Sequence, residues 1–337
     1  MPNLFFSPTL VGLLLLGVPA FIACKKDPVP SVLVPPPIVF MVSTLAGSGV
    51  AGAADGTGTA AQFNWPYGLV LNAGGTLYVA DNANSAIRQV SPTGVVSTLA
   101  YVGGASSLAI DSQGALYVGS EGNDPLTKVS PAGVVSPLPG QAATYAFNFP
   151  RGLAVDAQGV VYVGEIAGRI FKISPAGTVT MLAGGPSGGY ADGTGAAALF
   201  DGIQSLAVDA QGTLYVGDAG NARIRKVSPA GVVITLAGSG VMGGADGAAG
   251  TAQFGTLYGL TVDAQGTLYA ADGNTVRRIS ASGEVKTLAG NSTRGGYADG
   301  PGTTALFGRV TGIRGTAQTG LYVSDLDNHR IRKLTPQ

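Results

Sequence analysis

The side chains best suited to recognising a ligand occupy one recurrent position, just before a strand that begins Gly-Leu or a close variant. Their types differ from repeat to repeat, and Trp65 lies just upstream of the first. They are Tyr67, Ser106, Arg151, Gln204, Tyr258 and Thr311. Aromatic rings supply contact area, and amide or guanidinium groups supply directed hydrogen bonds, so the set predicts a rim that binds a peptide or a sugar. The same side chains could instead only fill a channel.

A second set of side chains could form a metal site, which is the alternative interpretation. Asn64, Asn148, Asp201 and Glu165 carry the oxygen ligands that calcium prefers, and they could approach one another near the same rim. No calcium-loop motif with ligands at alternating positions accompanies them. We therefore expect no resident cofactor, with calcium as the alternative.

Most repeats also carry an acid after a Leu-Tyr-Val segment: Asp81, Glu165, Asp218, Asp272 and Asp325. Five acids around one mouth could collect a cation. A structural role predicts the same repetition, because each acid can accept backbone hydrogen bonds in its own turn and pair with an arginine on the next strand. We favour the structural role.

Four long loops share the order Asp-Gly, small residues, Phe. They run from Asp55 to Phe63, Asp192 to Phe200, Asp246 to Phe254 and Asp299 to Phe307. One carboxylate per loop is too few for a calcium loop. We expect the aspartate to cap a short helical turn and the phenylalanine to pack on the structure beneath it.

The chain lacks the residues for two common catalytic arrangements, a zinc site and a serine triad. Catalytic zinc usually takes about three protein ligands, with histidine prominent, and a serine triad also needs histidine. The chain has one histidine, His329, and one cysteine, Cys24. The sequence therefore favours a protein that is not an enzyme of these classes.

The elements that must position these residues follow from an internal repeat. Leu-Tyr-Val or a close variant recurs six times, with its tyrosine at positions 78, 117, 162, 215, 269 and 322. Each copy supplies four short antiparallel strands joined by Gly-containing turns, and a period of about 40 to 55 residues is typical of propeller blades. The last copy lacks its fourth strand, and residues 42–47 match that strand. We predict an all-β, six-bladed propeller of four-stranded blades, closed by strand 42–47 joining the C-terminal blade.

The repeat unit resembles that of the NHL-repeat proteins. Gly-Leu-x-Val-Asp, Leu-Tyr-Val-x-Asp, Ile-Arg-Lys-Val and Thr-Leu-Ala-Gly recur over residues 42–337. Ser120 and Glu165 depart from the aspartate position. The resemblance implies a six-bladed propeller, in a family that ranges from interaction modules to enzymes. By analogy, some six-bladed propellers hydrolyse esters or lactones with a central calcium.

Charge gives no signature of nucleic-acid binding. Lysine plus arginine equals aspartate plus glutamate at 19 each. Six basic residues occupy roughly equivalent places in successive repeats, which distributes positive charge around the ring: Arg88, Lys128, Lys172, Arg225, Arg277 and Arg332. We expect no nucleic-acid partner.

The first forty residues predict attachment to a membrane. An apolar stretch, 9–23, precedes Cys24 and resembles a bacterial lipoprotein signal, although no lysine or arginine precedes it. This predicts a signal peptide at 1–23, a lipid-anchored proline-rich tether at 24–40 and the propeller at 41–337, placed in the bacterial cell envelope. An uncleaved apolar anchor is the rival interpretation.

A regular scaffold with a varied rim and a membrane tether predicts a monomeric, non-catalytic binding module. A protein is the favoured partner and a glycan the second possibility. The alternative is a calcium-dependent esterase or lactonase.

Overall fold

The computed structural model describes residues 39–337, which form a six-bladed propeller of antiparallel strands. The predicted fold is confirmed. The signal peptide, Cys24 and the tether up to residue 38 lie outside the described residues. Within residues 39–337, no helix is long and apolar enough to cross a bilayer.

Each blade has strands A to D, counted from the channel outward. They are Pro66–Leu71, Leu77–Asp81, Ala86–Val90 and Val95–Tyr101 in blade 1, and Ala105–Ile110, Leu116–Ser120, Thr127–Val129 and Val135–Pro137 in blade 2. They are Pro150–Val155, Val161–Glu165, Ile170–Ile173 and Val179–Ala183 in blade 3, and Ile203–Val208, Leu214–Asp218, Arg223–Val227 and Val232–Ala237 in blade 4. They are Leu257–Val262, Leu268–Asp272, Thr275–Ile279 and Val285–Gly290 in blade 5, and Val310–Thr316, Gly320–Asp325, Arg330–Pro336 and Phe40–Ala46 in blade 6.

Short elements complete the described fold. Two-residue strands extend blades 1, 4 and 6 at their outer edges: Gly56–Thr57, Gly193–Thr194 and Gly300–Pro301. Single 3-10 turns are Gly58–Ala60, Asn82–Asn84, Gly140–Ala143, Gly195–Ala197 and Ala219–Asn221. The D–A and B–C loops share one face, here called the upper face, and the A–B and C–D turns form the lower face.

The N-terminal strand closes the ring as predicted. Phe40–Ala46 pairs with Arg330–Pro336, with Val42 opposite Leu334 and Met41 opposite Thr335. Both ends of the propeller thus belong to one blade, and neither leaves an unpaired inner edge.

Alternation along strand B explains how the blades pack. In blade 1, Leu77 and Val79 point into a cluster shared with blade 6, whereas Tyr78 and Ala80 point into a cluster shared with blade 2. A period of two places successive side chains on opposite faces of a sheet, so each blade buries one face against each neighbour. This is why strand B is mostly apolar up to its polar final residue.

In blades 1, 3, 5 and 6, the glycine at the third position of strand A permits close contact around the channel. A Cβ atom on Gly68 would lie 2.6 Å from the carbonyl oxygen of Ser106 in the next blade. Gly259 and Gly312 would meet the next blade at the same distance. Blades 2 and 4 have serines instead, and the hydroxyl of Ser107 donates to the carbonyl of Pro150 at 2.6 Å.

A buried arginine joins two carboxylates in four blades. Arg225 is fully buried, and its Nη1 and Nη2 lie 2.8 Å from Asp218 and 2.6 Å from Asp192. The other three sets are Arg88 with Asp81 and Asp55, Arg277 with Asp272 and Asp246, and Arg332 with Asp325 and Asp299. Asp218 also accepts the backbone N–H of Asp201 at 2.8 Å. The arginine pairing predicted for these acids is confirmed in blades 1, 4, 5 and 6, whereas the backbone N–H that each accepts comes from the preceding D–A loop and not from its own turn.

The predicted helix-capping role of the loop aspartates is wrong. The turns Gly58–Ala60 and Gly195–Ala197 begin after Thr57 and Thr194, and neither receives a side-chain cap. Asp192 accepts hydrogen bonds from Arg225 and from the hydroxyl and N–H of Thr235 instead. The carboxylate thereby gains a hydrogen bond in which both partners are charged, which the N–H groups of a helical turn do not offer. The loop phenylalanines are buried as expected, and Phe200 lies under Arg225.

Blades 2 and 3 depart from this arrangement. Lys128 and Lys172 stand opposite Tyr117 and Tyr162, one residue beyond the position of the buried arginines. Their predicted equivalence to Arg88 is therefore wrong. In blade 3, Glu165 pairs with Arg169 at 2.6 Å instead.

Candidate functional site

The upper mouth of the channel is a cavity of about 290 Å³. Five of the predicted rim residues line it together: Trp65, Tyr67, Arg151, Gln204 and Tyr258. They converge because four of them are the second residue of strand A in their blades, and Trp65 immediately precedes strand A of blade 1. Blades 1, 3, 4 and 5 thus contribute to one concave surface.

Thr311 and Ser106 lie deeper than the sequence suggested. Both are buried and line a narrower cavity of about 40 Å³ below the mouth. The hydroxyl of Thr311 donates to the carbonyl of Tyr67 at 3.1 Å, and that of Ser106 to Gly119 at 3.3 Å. Their role is to join strands around the channel.

Aromatic and charged contacts order the mouth. The rings of Tyr67 and Tyr258 meet edge to face with centroids 6.3 Å apart. The guanidinium of Arg151 lies 5.1 Å from the centroid of Tyr67, and its Nη1 lies 3.0 Å from Glu121. Burial raises the pKa of the Tyr67 hydroxyl, so Tyr67 remains a neutral donor at physiological pH.

Two polar atoms at the mouth have no partner within the described residues. They are the buried Oε1 atom of Gln204 and the buried Nε atom of Arg151. Buried polar atoms are satisfied in nearly all folded proteins, by protein, water or ligand. At the mouth, one acceptor and one donor are thus without a protein partner, and the buried Nε atoms of Arg88, Arg225, Arg277 and Arg330 are unpaired in the same way.

Two aromatic residues beside the mouth adopt a left-handed backbone conformation. Trp65 has a φ of 56° and Phe149 a φ of 48°. Gly104 and Gly202 occupy the same position in blades 2 and 4 with φ near 60°, whereas Thr256 and Arg309, at this position in blades 5 and 6, do not have a positive φ. The side chains are 54% and 39% exposed, respectively. The Trp65 N–H donates to Nδ1 of His329 at 3.3 Å, which places the histidine between blades 6 and 1.

The predicted calcium ligands do not form a convincing site. Asn64, Asn148 and Asp201 occupy the equivalent position in blades 1, 3 and 4, where their N–H groups donate to Asp81, Glu165 and Asp218. Glu165 is buried against Arg169, which neutralises it. Within residues 39–337, no three His, Cys, Asp or Glu side chains are arranged to hold a metal ion. The set therefore fits calcium poorly, although calcium binding stays a prediction.

Four further residues line the mouth that sequence reasoning missed: Asn82, Glu121, Arg309 and Leu326. Arg309 occupies the same repeat position as Trp65 and Phe149, so internal alignment could have found it. The other three each follow the position of the acid that ends strand B. Arg309 is held by Asp327 at 2.8 Å, and this hydrogen bond raises its pKa.

The loops around the mouth expose further apolar side chains. Those that are at least 44% exposed are Val50, Tyr101, Tyr190, Val241, Met242 and Tyr297. Two of the tyrosines are stacked on cations, with Arg223 4.0 Å from the Tyr190 ring centroid and Arg330 3.9 Å from that of Tyr297. The upper face thus combines a concave mouth with an aromatic surround.

No protein-family model matches the chain, and no curated protein matches it in sequence. Solved structures do share its fold. A protein of unknown function from Bacteroides thetaiotaomicron has a TM-score of 0.75 at 21% identity, covering 89% of this chain and 76% of the other. An auxiliary nutrient-binding protein from Bacteroides ovatus has a TM-score of 0.72 at 19% identity, over 89% and 77%. A gluconolactonase from Xanthomonas campestris has a TM-score of 0.60 at 18% identity, over 82% and 87%. These likenesses show the fold alone: the chain is a six-bladed propeller similar to binding proteins and to an enzyme.

Proposed function

We propose that the protein is a non-catalytic binding module whose partner contacts the upper mouth. The observation that carries this proposal is the pair Trp65 and Phe149. A left-handed conformation costs a non-glycine residue about 1–2 kcal/mol, and glycine avoids that cost in blades 2 and 4. Trp65 is 54% and Phe149 39% exposed, so packing within the fold accounts for only part of each side chain. Backbone strain of this kind concentrates at ligand-binding sites.

The favoured partner is a protein that inserts one side chain into the mouth. Tyr67 and Tyr258 provide flat walls, and the unpaired atoms of Gln204 and Arg151 provide one acceptor and one donor. Aromatic and arginine side chains around a pocket are typical of the energetic centre of an interface. The exposed apolar residues of the surrounding loops add area beyond the mouth.

A glycan is the second class of ligand. The same aromatic walls suit the apolar face of a sugar ring, and the amide and guanidinium suit its hydroxyls. The auxiliary nutrient-binding protein from Bacteroides ovatus, similar in fold, gives modest support to this class.

We propose in addition that Cys24 is lipidated and holds the propeller at a membrane of the bacterial envelope. The support is the apolar stretch before Cys24 and the proline-rich segment after it.

The experiment is a parallel selection on the full chain, using a displayed peptide library and a glycan array. We expect hits that the triple variant Tyr67→Ala, Arg151→Ala, Tyr258→Ala does not retain. A matched control, Val134→Ala, changes an exposed apolar residue in a turn of the lower face. Hits retained by the triple variant, or none on either library, would refute the proposal.

Calcium-dependent hydrolysis stays the competing prediction. The fold shared with a gluconolactonase is what keeps it open. Stoichiometric calcium after desalting, together with chelator-sensitive turnover of small lactones, would favour it over the binding module.

A further inference from the structure

The channel below the mouth is lined by a second repeat position, three residues after the rim position. Its members lie opposite the strand-B tyrosines in every blade: Val70, Ala109, Ala154, Ala207, Thr261 and Arg314. Five blades thus have a small, buried side chain at this position. Blade 6 alone among the six places a guanidinium there.

The lower part of the channel is a cavity of about 170 Å³. Apart from Thr261 and Arg314, all its lining residues are apolar, including Val70, Ile110 and Val155. Of its lining residues, Arg314 alone also lines the narrow cavity beneath the mouth. Arg314 therefore forms the end of a chamber that opens toward the lower face, with mostly apolar side chains and polar backbone groups along its wall.

The hydrogen bonds of Arg314 are incomplete within the described residues. Its Nη1 donates to the carbonyl of Leu260 at 2.7 Å and to that of Ile313 at 3.3 Å. A guanidinium has five N–H groups. Within residues 39–337, Nε and Nη2 have no acceptor, and no carboxylate lies within 4.0 Å. Burial lowers the Arg314 pKa to about 10, so the side chain remains a cation at neutral pH.

The carboxylates nearest the lower face are already hydrogen-bonded within their own blades. Asp111, Asp156, Asp209 and Asp263 each accept backbone N–H groups in their own turns and a tyrosine hydroxyl. The equivalent residues in blades 1 and 6 are neutral, Asn72 and Thr316. The side of the ring that carries Arg314 and the following blade therefore lacks a carboxylate at this position.

We propose that the lower cavity binds a small amphipathic monocarboxylate, with its carboxylate on Arg314 and its hydrocarbon chain against the apolar wall. A carboxylate matches the fork of a guanidinium and forms strong charge-assisted hydrogen bonds. The volume is below the roughly 300 Å³ of a drug-sized site, which restricts the ligand to a short chain. This site is distinct from the upper mouth and does not depend on the function proposed for it.

The test uses the full chain and hexanoate, with acetate and hexanamide as comparison probes, measured by calorimetry and saturation-transfer NMR. We expect saturable hexanoate binding with a Kd of about 1 mM, at least tenfold weaker binding of acetate, and none of the neutral amide. Arg314→Gln should weaken hexanoate binding about tenfold or more. Arg294→Gln, which removes an exposed arginine from an upper loop, is the matched control and should not change it.

A second variant keeps the test decisive if Arg314→Gln does not fold. Val155→Phe leaves Arg314 in place and enlarges a partly exposed side chain that lines the cavity, so it should weaken hexanoate binding more than acetate binding. The proposal is overturned if hexanoate shows no saturable binding up to about 30 mM, which is far above the expected Kd. Equal binding of the amide, or a folded Arg314→Gln or Val155→Phe variant that binds like the original chain, would also overturn it.

Discussion

Replacing Trp65 with glycine separates a binding role from a structural one. Three effects of Trp65→Gly nearly cancel. Relief of the left-handed backbone strain returns about 1–2 kcal/mol, whereas the greater freedom of glycine in the unfolded chain removes about 0.5–1 kcal/mol. The ring is 54% exposed, so losing its remaining burial costs about 1 kcal/mol, roughly half the value of a fully buried large side chain.

The free energy of unfolding should therefore change by less than about 1 kcal/mol in either direction. Urea denaturation followed by far-UV circular dichroism measures it without depending on the lost tryptophan. Ser85→Gly is the matched control, because Ser85 has a φ of 51° and does not line the mouth. In the same variants, affinity for a ligand selected on the original chain should fall about 30-fold or more for Trp65→Gly and stay unchanged for Ser85→Gly.

A destabilisation of about 3 kcal/mol or more by Trp65→Gly would refute this reasoning. A loss of that size is typical of a large aromatic side chain removed from a core. Unchanged ligand affinity would equally show that the strained tryptophan does not serve recognition.

Other predictions concern the buried ion pairs, the tyrosines and the anchor. Arg225→Met should lower the free energy of unfolding by about 3–5 kcal/mol because it leaves Asp218 buried and unpaired, whereas Asp192→Asn, at a 45% exposed carboxylate, should cost about 1 kcal/mol or less; equal effects in urea denaturation would contradict the assignment. Burial, together with Asp156 and Asp209, raises the pKa values of Tyr162 and Tyr215 to about 12, above the value of 10 in an unfolded chain. Their stabilisation is therefore complete below about pH 10 and is lost as pH rises toward 12, and the unfolding midpoint of the double variant Tyr162→Phe, Tyr215→Phe should fall less steeply over that range. Cys24→Ala should move the protein from the membrane fraction to the soluble fraction of a bacterial host; retention in the membrane would favour the uncleaved anchor.

The fold was predictable because its signals repeat. Six copies of one strand pattern and a fourth strand displaced to residues 42–47 leave few alternatives to a closed ring. The pairing of Asp218 with Arg225 was also predictable, since both lie within one repeat, seven residues apart. The second partner, Asp192, was not, because it reaches the arginine only after its loop has folded back against the outer edge of the blade.

The sequence predicted which residues form the rim but not how deeply each of them is buried. Internal alignment identified Tyr67, Arg151 and Tyr258 as one surface, since equivalent positions in a ring converge on its axis. It did not show that Thr311 is buried, because a hydroxyl can face a channel or bond a neighbouring strand with equal ease. Arg314 was not predicted for a different reason. Its repeat position, three residues after the rim position, holds small residues in the other five blades and gives no functional pattern in the sequence.

The most direct test of the central claim is the affinity of the best selected peptide or glycan for the original chain and for the triple variant Tyr67→Ala, Arg151→Ala, Tyr258→Ala, measured by calorimetry. The mouth assignment predicts a Kd at least about 100-fold weaker for the variant, given hot-spot losses of about 2 kcal/mol or more from such residues. Equal affinities, with both proteins folded, would contradict it.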